Sequence, residues 1–263
     1  MTEPLATRIA GPEDAPAVVL LHAIATSSEL WEPQMATWAE RFRVVAVDLP
    51  GHGASPLTQE PHSLDAYARS VLATMDALNL ERWALVGLSF GSSISQRLAV
   101  QAPERVRALV LAAGVAYSPP PAQEMWRGRA ASAIANGLGD QVEAILERWF
   151  TPEFRASMPA TVERIRRLVL STSTEGYVAA AEIISTLDNR SLLARIACPA
   201  LVLAGDRDKA VPLEALKQIA ETIPQSRFSS VPAAHLVNIE AAADFTEQVG
   251  DFLAETFKSS SHV

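Results

Sequence analysis

The sequence predicts a doubly wound α/β fold: a mostly parallel sheet, helices on both faces, and a block of helices inserted between two strands. Three observations predict it. Five short aliphatic runs are apolar almost throughout rather than alternating, as strands buried on both faces of a parallel sheet must be. Longer amphipathic stretches of helical period lie between them. Between residues 115 and 195 the alternation stops, and no strand-like run occurs until the chain reaches Cys198.

The runs are 17–23 (AVVLLHA), 43–48 (RVVAVD), 83–88 (WALVGL), 106–113 (VRALVLAA) and 200–205 (ALVLAG). Residues 62–80 predict a helix, with Ser63 as N-cap and Leu64, Tyr67, Val71, Met75 and Leu78 at helical spacing. A second helix starts after Ser89 and stops before Pro103, and two more fall at 213–223 and 241–257. Residues 228–232 (FSSVP) read as a short strand ending at a proline. The interruption opens with the Pro-rich YSPPPAQ and carries two glycines in NGLGD, and its segments 141–150, 160–170 and 176–187 read as helices. A single crossover needs far fewer residues than this. Residues 115–195 are therefore expected to form a helical cap (a lid) on a core of 1–114 and 196–263. The terminal KSSSHV is expected to fray.

A chain of 263 residues is long enough to bury one large core. Its 22 Lys+Arg against 30 Asp+Glu leave a net charge of −8, which opposes binding to a nucleic-acid backbone. One cysteine, Cys198, excludes an intrachain disulfide framework and a Cys-rich metal site. No apolar run approaches the roughly 20 residues that span a bilayer. The opening MTEPLATRIAGPED has no basic stretch followed by an apolar one, so it does not read as a signal peptide. These features point to a cytoplasmic protein that takes a small molecule and uses neither cofactor nor metal. They leave its oligomeric state open.

The segment Val86-Gly87-Leu88-Ser89-Phe90-Gly91 fits G-x-S-x-G. The pentapeptide alone is common; here an apolar strand enters it and an amphipathic helix leaves it. A nucleophile elbow needs that context, because its serine sits in a strained strand-to-helix turn crowded enough to demand small neighbours. A hydroxyl is a poor nucleophile without a base, and the candidates are His22, His52, His62, His235 and His262. On its strand, turn and helix the chain resembles the α/β-hydrolase family, and the resemblance covers nearly its whole length.

In that family the order along the chain is serine, acid, histidine. The resemblance therefore implies His235 as base, since it follows the short strand 228–232 and precedes the last helix. His262 lies in the tail, and His22 and His52 read as structural. The acid fixes the imidazole tautomer and stabilises the imidazolium. Asp206 and Asp208 both follow the strand 200–205, and no acid stands at Gly114 or Val115 after the earlier strand. Asp208 matches the family's G-x-x-D-x-x-x-P spacing, with Gly205 before it and Pro212 after; Asp206 remains its rival. Two backbone donors must face the developing oxyanion. They are expected at Phe90, after the serine, and at Ile24, in the loop His22-Ala23-Ile24-Ala25-Thr26.

Within the family the chain is most similar to the 3-oxoadipate enol-lactonases. The similarity is carried by Trp31-Glu32-Pro33-Gln34, residues 48–55, the elbow, 233–240 (AAHLVNIE), 147–152 (ERWFTP), Gly176-Tyr177 and Ala179-Ala180. It departs at 22–26, where many of those enzymes carry Ser-Asn-Ser-Leu-Gly, and at Lys209, which follows the acid. The likeness implies an ester or lactone hydrolase with an acyl-serine intermediate. It also implies that Trp126 and Arg129, three apart, face the substrate, with Arg129 pairing a free carboxylate. The alternatives are a general carboxylesterase, a carbon–carbon bond hydrolase or a perhydrolase on the same triad, and a non-catalytic binding protein of this fold.

Overall fold

The structure is a computed structural model that describes residues 3–57 and 61–259. His262 and most of the tail expected to fray lie outside the described residues. The strands are β1 (Thr7–Ala10), β2 (Ala17–Leu21), β3 (Arg43–Val47), β4 (Trp83–Leu88), β5 (Val106–Ala112), β6 (Ala200–Gly205) and β7 (Ser226–Val231). They form one sheet in the order β1-β3-β2-β4-β5-β6-β7. Only β1 runs antiparallel, pairing Ile9 with Val45 of β3; the other neighbours are parallel.

Burial explains the composition of the strands. Every residue of β2, β4 and β6 is buried, so these strands carry no polar face. The edge strands β1 and β7 are largely open to solvent, and β7 carries Ser226, Ser229 and Ser230 beside Arg227 and Phe228. The sequence reading did not anticipate β1, because a four-residue, half-exposed strand has neither length nor an apolar run to mark it.

The core helices are α1 (Glu32–Trp38), α2 (Leu64–Ala77) and α3 (Phe90–Gln101). Ser63 caps α2 as expected, its Oγ accepting from Ala66 N at 3.1 Å. Six helices separate β5 from β6: α4 (Pro120–Asn136), α5 (Val142–Trp149), α6 (Pro152–Ser157), α7 (Pro159–Ser171), α8 (Thr174–Ser185) and α9 (Arg190–Leu193). The Pro-rich segment, which the sequence reading assigned to no helix, opens α4 with Pro120 and Pro121. Proline fits a helix's first turn, whose N–H groups have no partner inside the helix. The two ends of this excursion pair with each other: Ser118 N donates to Leu187 O at 3.0 Å and Asn189 N to Ala116 O at 2.6 Å. After β6 come α10 (Leu213–Thr222), α11 (Val237–Glu240) and α12 (Ala242–Ser259). No helix among the described residues is long and apolar enough to cross a membrane.

Because the central strands are parallel, their carboxyl ends lie at one edge of the sheet. The loops leaving β2, β4, β6 and β7 there carry Ile24, Ser89, Asp208 and His235. Ser63→Ala should lower the unfolding free energy by about 1 kcal/mol in urea denaturation, while Ser63→Asp should hold it near wild type. Equal stability of Ser63→Ala and wild type would mean that water replaces the cap.

Candidate active site

Ser89 links β4 to α3 with φ 54 and ψ −112, a left-handed backbone that a non-glycine residue adopts only under constraint. Its N–H donates to Ala112 O on β5 at 2.8 Å, and Gly91 N donates to His22 O at 3.1 Å. A Cβ at Gly87 would collide with Ser95 Oγ and the Gly91 carbonyl, and one at Gly91 with the Leu21 carbonyl. The glycines of the motif therefore let β2, β4 and α3 close around the serine.

His235 stands across from it. Its Nε2 lies 2.9 Å from Ser89 Oγ, and its Nδ1 lies 2.8 Å from Asp208 Oδ2. A carboxylate can only accept, so Nδ1 carries the proton and Nε2 is left to accept from the serine hydroxyl. The Asp208 side chain is wholly buried, and its Oδ1 accepts from Ala210 N at 2.7 Å and Val211 N at 3.1 Å. Three hydrogen bonds thus hold the carboxylate in place. Asp206, its rival, points to solvent beside Arg207 and touches neither Ser89 nor His235. A Cβ on Gly205 would strike the Ala233 and Ala234 carbonyls, so the His235 loop packs directly on the end of β6. Past His235, Gln34 Nε2 donates to Asn238 O at 2.8 Å and ties α11 to α1.

Ile24 and Phe90 line the cavity beside Ser89. Phe90 is the first residue of α3, where N–H groups have no partner within the helix. The Ile24 loop is shaped by His22: its Nε2 accepts from Leu49 N at 2.9 Å, so Nδ1 donates to Ala23 O at 2.8 Å. Beneath it, Asp48 accepts from Ser28 N at 2.7 Å and Ala54 N at 2.9 Å. His52 is buried against His22, with ring centroids 5.3 Å apart. Both rings serve the scaffold and face no substrate space, which agrees with their structural reading.

The cavity above Ser89 has a volume of about 440 Å³ and is lined by α4, α5 and α8 as well as by the sheet edge. Its wall is mainly apolar, with Arg129, Arg148 and Lys209 as its charged members and no described carboxylate. Trp126 and Arg129 share a helix face, the guanidinium lying 4.6 Å from the ring centroid. Neither Arg129 nor Arg148 has a salt bridge among the described residues. Burial, with Arg148 as neighbour, lowers the Arg129 pKa to about 10. Burial raises that of Tyr177, against the opposing pull of the two arginines. Two guanidinium groups in an apolar wall without a counter-ion make a place for an anion. Sequence reasoning gave a substrate-facing role to Arg129 but not to Arg148 and Tyr177, named only as parts of the family likeness, or to Lys209, named only as a departure from it; their shared wall exists only once the helices pack.

Burial also holds His22 and His52 neutral, lowering their pKa values from 6.5 to about 4 and about 3. In the unfolded chain both ionise near pH 6.5. Unfolding therefore takes up protons below that pH, and stability falls as pH drops from about 6.5 toward 4. His52→Gln should reduce the proton uptake on unfolding at pH 5.5 by nearly one, measured from the slope of unfolding free energy against pH. An unchanged slope would mean that His52 is protonated inside the fold.

The α/β hydrolase fold family matches residues 16–242 of this chain. The 3-oxoadipate enol-lactonase 2 of Acinetobacter baylyi is 31% identical over 239 residues, covering 91% of this chain and 89% of that protein. The crystal structure of the enol-lactonase from Burkholderia xenovorans LB400 superposes with a TM-score of 0.92. It is 33% identical and covers 95% of this chain and 96% of that one. A thermophilic esterase from Thermogutta terrifontis, with malate bound, has a TM-score of 0.90 at 29% identity, covering 96% and 93%. With strand order, elbow and family match in agreement along most of its length, the chain belongs to the α/β hydrolase fold family.

Proposed function

We propose that the protein is a cofactor-independent hydrolase of carboxylic esters or lactones that bear a negative charge, with enol-lactones as the best-fitting substrates. The observation that carries this reading is the relay from Ser89 Oγ through both His235 nitrogens to Asp208, set in the floor of a cavity with arginines in its wall. The enol-lactonases among the similar proteins support the substrate class.

In the first step Ser89 Oγ attacks the carbonyl carbon while His235 Nε2 takes its proton. Asp208 stabilises the imidazolium through the Nδ1 proton. The oxyanion of the tetrahedral intermediate accepts from the backbone N–H groups of Phe90 and Ile24. Collapse breaks the acyl–oxygen bond, and the oxygen that leaves takes the proton from His235. An enol-lactone opens readily, because an enolate is a much better leaving group than an alkoxide; it then tautomerises to the ketone. Water, deprotonated by His235, cleaves the acyl-Ser89 ester and restores the hydroxyl. The segment 115–195 acts as the cap that excludes bulk water and selects the substrate, with Trp126, Arg129 and Arg148 as its contacts.

Ser89→Ala should fold normally and lose nearly all esterase activity; retention of more than about a tenth of the wild-type rate would rule out covalent catalysis. Asp208→Asn should be far worse than Asp206→Asn, with a loss on the order of 10⁴-fold in kcat, the handicap of the wrong tautomer in a trypsin-type triad. The opposite ranking would move the acid to Asp206.

Arg129→Ala should cost about 1.5–3 kcal/mol in kcat/KM on an acidic lactone and scarcely alter turnover of a neutral aryl ester. Arg148→Ala should act in the same direction. Equal losses on both substrates would make these arginines supports of the cap, and the substrate class would revert to neutral esters.

A further inference from the structure

The loop that carries His235 is held from the cap side as well as from the sheet. α5 ends at Trp149, whose carbonyl accepts from His235 N at 3.2 Å and from Leu236 N at 3.1 Å. Two residues on, Thr151 caps α6, its Oγ1 accepting from Phe154 N at 3.2 Å. The same hydroxyl donates to Glu240 Oε1. Glu240 also accepts Thr151 N, at 3.2 Å and 3.3 Å from its two oxygens, and its Oε2 accepts Ala234 N at 2.9 Å. The N–H groups of three consecutive residues, Ala234, His235 and Leu236, therefore end on the 149–151 segment or on the carboxylate bound to it. Every partner of Glu240 in this set is a donor, so only a group that accepts on both of its ends satisfies it.

We infer that Glu240 is a positioning residue for the reaction: through Thr151 and Ala234 it staples the His235 loop to the cap, keeping Nε2 aimed at Ser89 Oγ. The inference rests on the hydrolase reading, since it assigns no chemistry to Glu240 itself. Glu240 does not line the cavity, and neither Ser89 nor His235's ring touches it. Trp149 does line the cavity, so the segment that meets the substrate is also the one that holds the base's backbone.

The test is the rate at which a fluorophosphonate labels Ser89, read by intact mass well below the melting temperature, alongside kcat and KM for a neutral aryl ester. Glu240→Gln keeps the size of the side chain but turns one end into a donor facing donors. Thr151→Val keeps the shape of the threonine and removes its hydroxyl. Both should slow labelling and kcat roughly ten- to hundredfold, with KM within about twofold, because a misplaced base impairs the chemical step rather than binding. Thr151→Ser, which retains the hydroxyl, should label at the wild-type rate. The double variant should be little slower than the slower single one, because both substitutions break the same staple. Wild-type labelling in folded Glu240→Gln would overturn the inference, even if its melting temperature falls. Multiplicative losses in the double variant, or failure of Thr151→Ser to restore the rate, would overturn it too. Failure of the wild-type protein to label at all would instead sink the hydrolase reading.

Discussion

A serine held at φ 54 between a buried strand and a helix is the constraint on which the site depends. Such a backbone costs of order 1–3 kcal/mol and persists only where its surroundings leave no alternative. Here they leave none. The Ser89 amide is bonded to β5, that of Gly91 to the carbonyl of His22, and the bare Cα atoms of Gly87 and Gly91 let the helix sit against the strand ends. The turn lifts Oγ off the sheet edge and brings the first N–H of α3 beside it. Nucleophile and one expected oxyanion donor thus follow from one local geometry. The parallel sheet then brings the remaining partners to the same edge, from strands as far along the chain as β6 and β7.

Burial sorts the titratable groups by task. Asp208 is out of water and keeps three hydrogen bonds, two from backbone N–H groups and one from His235 Nδ1. Burial keeps His22 and His52 neutral, their main hydrogen-bond partners being backbone groups, so one shapes the loop of Ile24 and the other packs beneath it. The arginines of the cavity are the reverse case: charged groups in an apolar wall with no acid to meet them. Desolvation without a partner is costly, and under the proposed function a substrate anion would relieve it.

The local features of this site were legible in the sequence, and the features that depend on packing were not. The elbow announces itself because strand, turn and helix are contiguous, and the spacing of Gly205, Asp208 and Pro212 pointed to the carboxylate that the fold brings to His235. The segment of α4 was assigned to no helix because the effect of its two opening prolines depends on helix position, which periodicity alone does not reveal. β1 went unread because an edge strand has one partner and little to bury. Arg148, Tyr177 and Lys209 come from three separate segments and share a wall only after folding. Thr151 and Glu240 are 89 residues apart, and nothing in either neighbourhood hints that they meet.

The central claim is that catalysis passes through an acyl group on Ser89, and its most direct measurement is product partitioning. A series of esters sharing one acyl group but differing in leaving group would be turned over in water containing a fixed concentration of methanol. A common acyl-enzyme must divide between acid and methyl ester in a ratio independent of the group that left, however fast each ester reacts. A constant ratio across the series is the result expected here. A ratio that changes with the leaving group would mean that water reaches the substrate directly, and the relay from Ser89 to Asp208 would need another explanation.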